Sequence, residues 1–220
     1  MSAVDLNTAR FNMVKQQIQP WEMLDVHVLD AMATVPREHF VDPKYRNLAF
    51  AQIEIPIGHD QSTMMPHIEA RMLQALALRP TDIVLEVGTG SGFITAILAK
   101  LASHVYSVDI YENFVNNARE RLAALNLNNV TIEQGDAANG WEKHAPYDVI
   151  VITGSLSELP NSFIKSLRPN GRLFAIIGKP PVMEACIITQ VDNYGYMRED
   201  IFETVVSPLV TVNNQRHFIL

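Results

Sequence analysis

The sequence predicts an α/β fold: a doubly wound, mostly parallel sheet with antiparallel strands at its C-terminal edge and a helical extension at its N-terminus. Three observations lead there. From Ile83 onward, apolar β-branched runs alternate with stretches of helical periodicity, the pattern of strands crossed over by helices. The first run ends in a glycine turn, Gly88-Thr89-Gly90-Ser91-Gly92, and helical residues follow it at once. Toward the C-terminus two strand-like runs succeed one another without a long crossover, which requires antiparallel pairing.

Each element has its own signal. Asp5 to Gln19 predicts a helix with Leu6, Phe11, Met13, Val14 and Ile18 as a partly apolar stripe and Pro20 as its stop. Val26 to Met32 predicts a second, with Asp25 as N-cap and Val35-Pro36 as its exit. Phe40 to His67 is irregular and rich in Pro, Gly, Asp and aromatic residues; a loop that long inside a compact chain points to function. Ile68 to Ala77 is helical and turns Met72, Leu73 and Leu76 toward the sheet. Arg79 to Asp82 turns into the central strand, Ile83 to Val87, and Thr95 to Leu101 is the first crossover helix. His104 to Val108 is the second strand, Glu112 to Leu125 the next helix and Val130 to Glu133 the third strand. Tyr147 to Thr153 is a fourth strand whose unbroken apolar run predicts burial on both faces. Pro160 to Leu167 is a helix with proline in its first turn, and Leu173 to Ile177 is a fifth strand after the Asn170-Gly171 turn. Ala185 to Val191 and Ile201 to Pro208 form the antiparallel pair. No repeat, low-complexity run or linker interrupts this order. A single domain over 1–220 is expected, with helices and the long loop in 1–79, the α/β core in 80–178 and the last strands in 179–220.

Composition narrows the partners. Hydrophobic content of 48% with 19% charged residues is that of a globular chain and excludes wholesale disorder. A net charge of −7, with no run of Lys and Arg, argues against nucleic acid as a partner. The one cysteine, Cys186, excludes an intrachain disulfide and reads as a buried thiol. No signal-peptide layout and no apolar run long enough for a bilayer is visible, so no membrane partner is expected and the cytoplasm is the default location.

The chemistry is concentrated at the glycine turn. In an open α/β sheet, ligands bind beyond the carboxyl ends of the strands, where free N–H groups at the start of a helix face them. A dinucleotide motif would need its third glycine at position 93, which is Phe93; the pattern here is Glu86-x-Gly88-x-Gly90-x-Gly92. Asp109 ends the second strand about twenty residues beyond Gly88, where a carboxylate accepts hydrogen bonds from ribose hydroxyls. Asp136 ends the third strand and can accept from the exocyclic amine of an adenine, with Ile110 and Ala137 beside the ring. Glu86, Asp109 and Asp136 thus converge on one crevice. His59 and His67 have no third residue at metal-ligand spacing, so no metal is expected.

The Glu86–Gly92 stretch resembles the first motif of the class I S-adenosylmethionine-dependent methyltransferases, whose sheet is Rossmann-like. That resemblance implies S-adenosylmethionine as cofactor, its ammonium met by the acid and its body by the glycines. Over nearly the whole length the chain is similar to the protein-L-isoaspartate O-methyltransferases. The similarity is carried by Met13-Val14, Val28-Leu29-x-Ala31-Met32, Val35-Pro36-Arg37-Glu38-x-Phe40-Val41 and Ile55-Pro56-Ile57-Gly58. Ala145-Pro146-Tyr147-Asp148, Leu167-Arg168-Pro169-Asn170-Gly171 and Ser207-Pro208-Leu209-Val210 extend it. It implies methylation of the α-carboxyl of isoaspartyl residues in damaged proteins, the ester then collapsing to a succinimide that hydrolyses partly to aspartate. The residues it implies around the cofactor are Gln61, His67, Glu86, Gly88, Thr89, Gly90, Ser91, Gly92, Asp109, Ile110, Asp136 and Ala137.

The family's Gly-x-Gly-Gln-Thr-Ile-Ser-x-Pro run, with its reaction-centre serine, stands here as Gly58-His59-Asp60-Gln61-Ser62-Thr63-Met64-Met65-Pro66. Met64 holds the serine position and Asp60 that of the second glycine. Ser62 and Thr63 are therefore the hydroxyls expected to serve catalysis, from a shifted loop. Two alternatives stay open at this point: the same scaffold acting on another acceptor, and a cofactor-binding protein without isoaspartyl turnover.

Overall fold

The computed structural model describes residues 5–21, 25–191 and 195–211. Residues 1–4 and 212–220, which belong to the expected terminal segments 1–79 and 179–220, lie outside the described residues. The N-terminal part is built from α1 (Leu6–Asn12), α2 (Val26–Thr34) and α3 (Pro66–Leu76), with a small hairpin of β1 (Pro56–Gly58) and β2 (Gln61–Ser62) between the last two. The core then runs β3 (Ile83–Val87), α4 (Phe93–Leu101), β4 (His104–Asp109), α5 (Glu112–Ala124), β5 (Val130–Gln134), β6 (Tyr147–Leu156), α6 (Asn161–Lys165) and β7 (Leu167–Lys179). Two long strands close it, β8 (Val182–Val191) and β9 (Gly195–Thr204).

The main sheet has seven strands in the order β5-β4-β3-β6-β7-β8-β9. Pairing is parallel from β5 to β7, and antiparallel between β7 and β8 and between β8 and β9. The chain leaves β3 toward β4 on one side and returns as β6 on the other, so the sheet reverses its winding beside β3. A crevice opens at such a point because the flanking connections run to opposite faces.

Side-chain parity shows why the inner strands are continuous apolar runs. Val84, Val149, Val151, Phe174 and Ile176 join one core cluster, with the N-terminal helices, α4 and α5. Leu85, Val87, Ile150, Ile152, Leu173 and Ala175 join the other, with Phe163 of α6. Both faces are covered, as a parallel sheet requires.

Several segments depart from the sequence expectation. The last strand is Gly195–Thr204 and not Ile201–Pro208, because it pairs with β8 from Met183 to Val191. The first helix is α-helical only to Asn12; Met13–Ile18 is a π-helical turn that runs into a short 3-10 segment, Gln19–Trp21. Met13 and Ile18 are both fully buried and five residues apart. The i→i+5 pitch puts them on one face, whereas an α-helix would turn them about 140° apart. Phe40 to His67 is not without structure: Pro43–Leu48 is a 3-10 turn, and the β1–β2 hairpin comes after it. Strands of two and three residues are too short to show alternation. Strand β7 starts at Leu167, well before Leu173, because Leu167 pairs with Tyr147 ahead of a bulge that absorbs the polar Arg168–Gly171 run. Among the described residues, no helix is long and apolar enough to cross a membrane.

Candidate functional site

A cleft enclosing about 720 Å³, part of it open to solvent, lies over the carboxyl ends of β3, β4 and β6. That is within the range of small-molecule sites. Its floor is Val87, Gly88 and Gly90; one wall is Val108, Asp109, Ile110 and Tyr111, and Ala137 with Ala138 closes that end. The opposite wall is formed by the N-terminal hairpin and its two flanks, through Glu54, Ile57, Gln61, Ser62, Thr63 and Met64, and by the returning tail at Val206, Ser207 and Leu209.

The glycine turn is shaped by its neighbours. Gly88 has φ of +97°, and a Cβ there would stand 2.4 Å from Thr153 Oγ1. That hydroxyl donates to the carbonyls of Val87 and Gly88, so it cannot move aside cheaply. A Cβ on Gly90 would come within 3.2 Å of Ile57 Cδ1, so glycine keeps the passage beneath the hairpin open. Gly92 faces away from the cleft and lets α4 approach Ala118 of α5. The N–H groups of the turn are mostly used by the protein itself. Gly88 and Thr89 donate to the carbonyl of Val108, Gly90 donates to Asp109 and Gly92 to the carbonyl of Thr89. The expected row of free N–H groups facing a ligand is therefore largely taken at these positions.

The three acids separate into three environments. Asp109 lines the cleft; its Oδ2 accepts from Gly90 N–H at 2.8 Å and its Oδ1 from Tyr111 N–H at 3.0 Å. Burial raises its carboxyl above the usual range, against the lowering effect of those hydrogen bonds and of nearby His59. Asp136 is exposed on a shallow neighbouring groove that shares Ile110, Tyr111 and Gly135 with the cleft. Glu86 does not line the cleft. It points from β3 toward α4, fully buried, and its Oε2 accepts from Thr95 Oγ1 and Ser107 Oγ, both at 2.5 Å. Its Oε1 is buried with no hydrogen-bond partner, and burial pushes the carboxyl up to about 8. Glu86 and Val84 have the same parity on the strand, and that face is covered by α4.

The remaining expected residues divide in the same way. Gln61, Ile110 and Ala137 line the cleft. Thr89 is buried beneath it, 2.6 Å from Ser107 Oγ, and Ser91 caps the first turn of α4 by accepting from Phe93 N–H. His67 lies away from the cleft, stacked on Trp21 with ring centroids 5.0 Å apart and bonded to Gln52. Ser62 and Thr63 both line the cleft, and so does Met64. Thr63 Oγ1 accepts from Ile55 N–H at 3.1 Å, which leaves its own O–H to donate. Ser62 Oγ donates to Glu54 Oε2 at 3.3 Å and lies 3.4 Å from Ser207 Oγ.

Several contributors went unassigned in the sequence. Arg37 is fully buried and ties the loop down: it pairs with Glu69 of α3, donates to the carbonyls of Ala49 and Met64, and packs over the ring of Phe93 at 4.5 Å. His59, at the hairpin tip, stacks on Tyr111 at 3.8 Å and bonds Asn113, which seats the hairpin across the cleft. His59 and Asp60 both have positive φ, 53° and 55°, the conformation a two-residue hairpin turn demands. Thr153 carried a legible signal, because it closes the apolar run Tyr147–Thr153, although the strand itself continues to Leu156. Ser207 stood in the Ser207–Val210 stretch that carries the resemblance, with nothing to place it at the cleft, and Glu54 carried no signal.

A model of the protein-L-isoaspartate(D-aspartate) O-methyltransferase family matches residues 9–213. The chain is 42% identical over 203 residues to a protein-L-isoaspartate O-methyltransferase of Protochlamydia amoebophila, covering 90% of this chain and 95% of that one. It is 37% identical over 196 residues to one of Pseudomonas aeruginosa, covering 89% and 92%. Among solved structures, a protein-L-isoaspartate O-methyltransferase superposes with a TM-score of 0.79 at 21% identity, over 93% of this chain and 65% of that one. A Plasmodium falciparum structure assigned to the same enzymes, in complex with S-adenosyl-L-homocysteine, gives 0.78 at 21% identity over 93% and 98%. At that identity the two structures speak for the fold.

Proposed function

The chain belongs to the protein-L-isoaspartate(D-aspartate) O-methyltransferase family, and from that membership we infer that it methylates the carboxyl group of isoaspartyl residues in damaged proteins. It is an S-adenosylmethionine-dependent O-methyltransferase of the protein-repair type. S-adenosylmethionine, when bound, supplies an electrophilic methyl group on a sulfonium. The cleft fits a molecule of that kind, because its floor is open only while Gly90 lacks a Cβ, and because Asp109 keeps lone pairs beyond those its two backbone donors use.

We assign Asp109 to the ribose hydroxyls, Ile110 and Ala137 to the faces of the adenine, and Asp136 to its exocyclic amine. Gly88 and Gly90 permit close approach, and Gln61 holds from the hairpin side. Glu86, Thr89, Ser91 and Gly92 support the turn from below, and His67 supports the loop. An acceptor carboxylate is ionised at neutral pH and needs no base, so the protein has to hold one oxygen in line and exclude water. Ser62 and Thr63 are the hydroxyls we assign to that task, with Ser207 beside them. The observation that carries this is the meeting of two distant segments, Gly88–Asp109 and Ser62–Met64, on one cleft.

Methyl transfer to a peptide containing isoaspartate, set against the same peptide containing aspartate, tests it. Turnover on the isoaspartyl form alone is expected, together with calorimetric binding of S-adenosylmethionine. Met64 in the cleft favours a second reading, another acceptor on the same scaffold, and cofactor binding without turnover on either peptide would select it. We also place the protein in the cytoplasm, a reducing setting that suits the buried free thiol of Cys186. Recovery in a membrane or secreted fraction would refute that.

A further inference from the structure

No Lys, Arg or His lines the cleft among the described residues, although its acceptor is an anion. Two carboxylates do line it, and they differ. Asp109 is 7% exposed and holds the backbone of Gly90 and Tyr111 with its two oxygens. Glu54 is exposed at the mouth, on the segment that leads into the hairpin. It accepts the hydroxyl of Ser62, the group beside Ser207 where the acceptor carboxylate has to be met. Arg37, which donates to the carbonyl of Met64 on this wall, is buried and paired with Glu69, so it does not neutralise the wall.

Glu54 acts on an incoming carboxylate in two ways. Its charge repels a second carboxylate, and more strongly where water is thinned. It also competes for the Ser62 hydroxyl. A cation brought by the substrate reverses both effects, since it pairs with Glu54 and loosens that oxygen's hold on Ser62. We propose that Glu54 makes this cleft selective for isoaspartyl sites with a Lys or Arg beside them in the chain, and against sites flanked by Asp or Glu. The proposal rests on the cleft being the isoaspartyl acceptor site.

Isoaspartyl peptides that differ only in one residue beside the isoaspartate, on either side, provide the test: Lys, Ala or Glu. For the wild-type protein the Lys peptide should exceed the Glu peptide about five- to tenfold in kcat/KM, the sum of one exposed attraction and one exposed repulsion. The preference should narrow as salt rises from about 0.01 M to 1 M, where the Debye length falls from roughly 30 to 3 Å. Glu54→Gln should bring the ratio toward one, and Glu54→Lys should invert it. Equal rates on the Lys and Glu peptides in the wild type, or a ratio unchanged in Glu54→Gln, would overturn the proposal. If the wild type methylates none of them, the isoaspartyl assignment fails by itself. The charge preference is then read from binding of the same peptides to wild-type and Glu54→Gln protein saturated with S-adenosylhomocysteine, and equal affinities for the Lys and Glu peptides would overturn it there.

Discussion

Replacing Glu86 with glutamine probes the polar network beneath the glycine turn. Burial lifts the Glu86 carboxyl from its ordinary 4.5 to about 8; the bonds from Ser107 and Thr95 pull the other way and the charge of Asp109 adds to the rise. The unfolded chain returns the group to its ordinary value. Between pH 4.5 and about 8 the folded chain therefore keeps a proton that the unfolded chain has lost. Where the folded state binds more protons, stability falls as pH rises. This contribution is complete below pH 4.5 and gone above about 8. Across the whole window the loss is on the order of 5 kcal/mol. Domains of ordinary stability hold only about 5–15 kcal/mol in total, so the effect should be plain. Glutamine keeps the shape without the charge, and the Thr95 and Ser107 hydroxyls can rotate to accept its N–H. Glu86→Gln should flatten the fall in stability between about pH 5 and pH 8 and be the more stable protein at the upper end. Urea unfolding across that range measures it. Parallel pH profiles for the two proteins would refute the argument, because they would mean that Glu86 is already ionised in the folded chain at neutral pH.

Three further substitutions address the cleft. Gly88→Ala should cost more than about 2 kcal/mol of stability, from a left-handed φ and the 2.4 Å approach to Thr153 Oγ1; adding Thr153→Ala should recover part of the loss, and strict additivity in the double-mutant cycle would exclude that contact as the cause. Asp109→Ala should weaken S-adenosylmethionine binding by about 1–3 kcal/mol and strand the N–H groups of Gly90 and Tyr111, with unchanged calorimetric affinity as the contrary result. Met64→Ser should raise isoaspartyl turnover by about 1 kcal/mol of transition-state stabilisation and leave cofactor affinity nearly unchanged, since Met64 sits on the hairpin wall and its carbonyl is already held by Arg37. A turnover no higher than that of the wild type would show that Ser62 and Thr63 leave no task on this wall for a further hydroxyl.

What the sequence determined by itself was whatever local chemistry compels. The runs at Ile83–Val87 and Tyr147–Thr153 had to be buried strands, because their apolar residues fall on both faces. The glycines after β3 had to form a turn, and Asp109 had to stand at the carboxyl end of the neighbouring strand. Asp25 could be named as a cap from its position, and it accepts from the N–H groups of His27 and Val28. The glycine motif and the segments flanking it also carried the resemblance to the family.

Tertiary structure decided which of the motif residues face the cleft. Glu86 belongs to the motif yet points into the sheet's helical face, because its parity on β3 is set by Val84 and by where α4 lands. His67 comes soon after the hairpin in sequence, but in the first turn of α3 it meets Trp21 and Gln52 instead of the cleft. Ser207 reaches Ser62 across 145 residues, after the long β8 and β9 have carried the chain out and back. His59 meets Tyr111 and Asn113 across more than 50 residues. Contacts of that span leave no periodicity or spacing in the sequence: they arise only when packed strands and helices bring distant backbone together, and that packing is set by the whole core rather than by either partner.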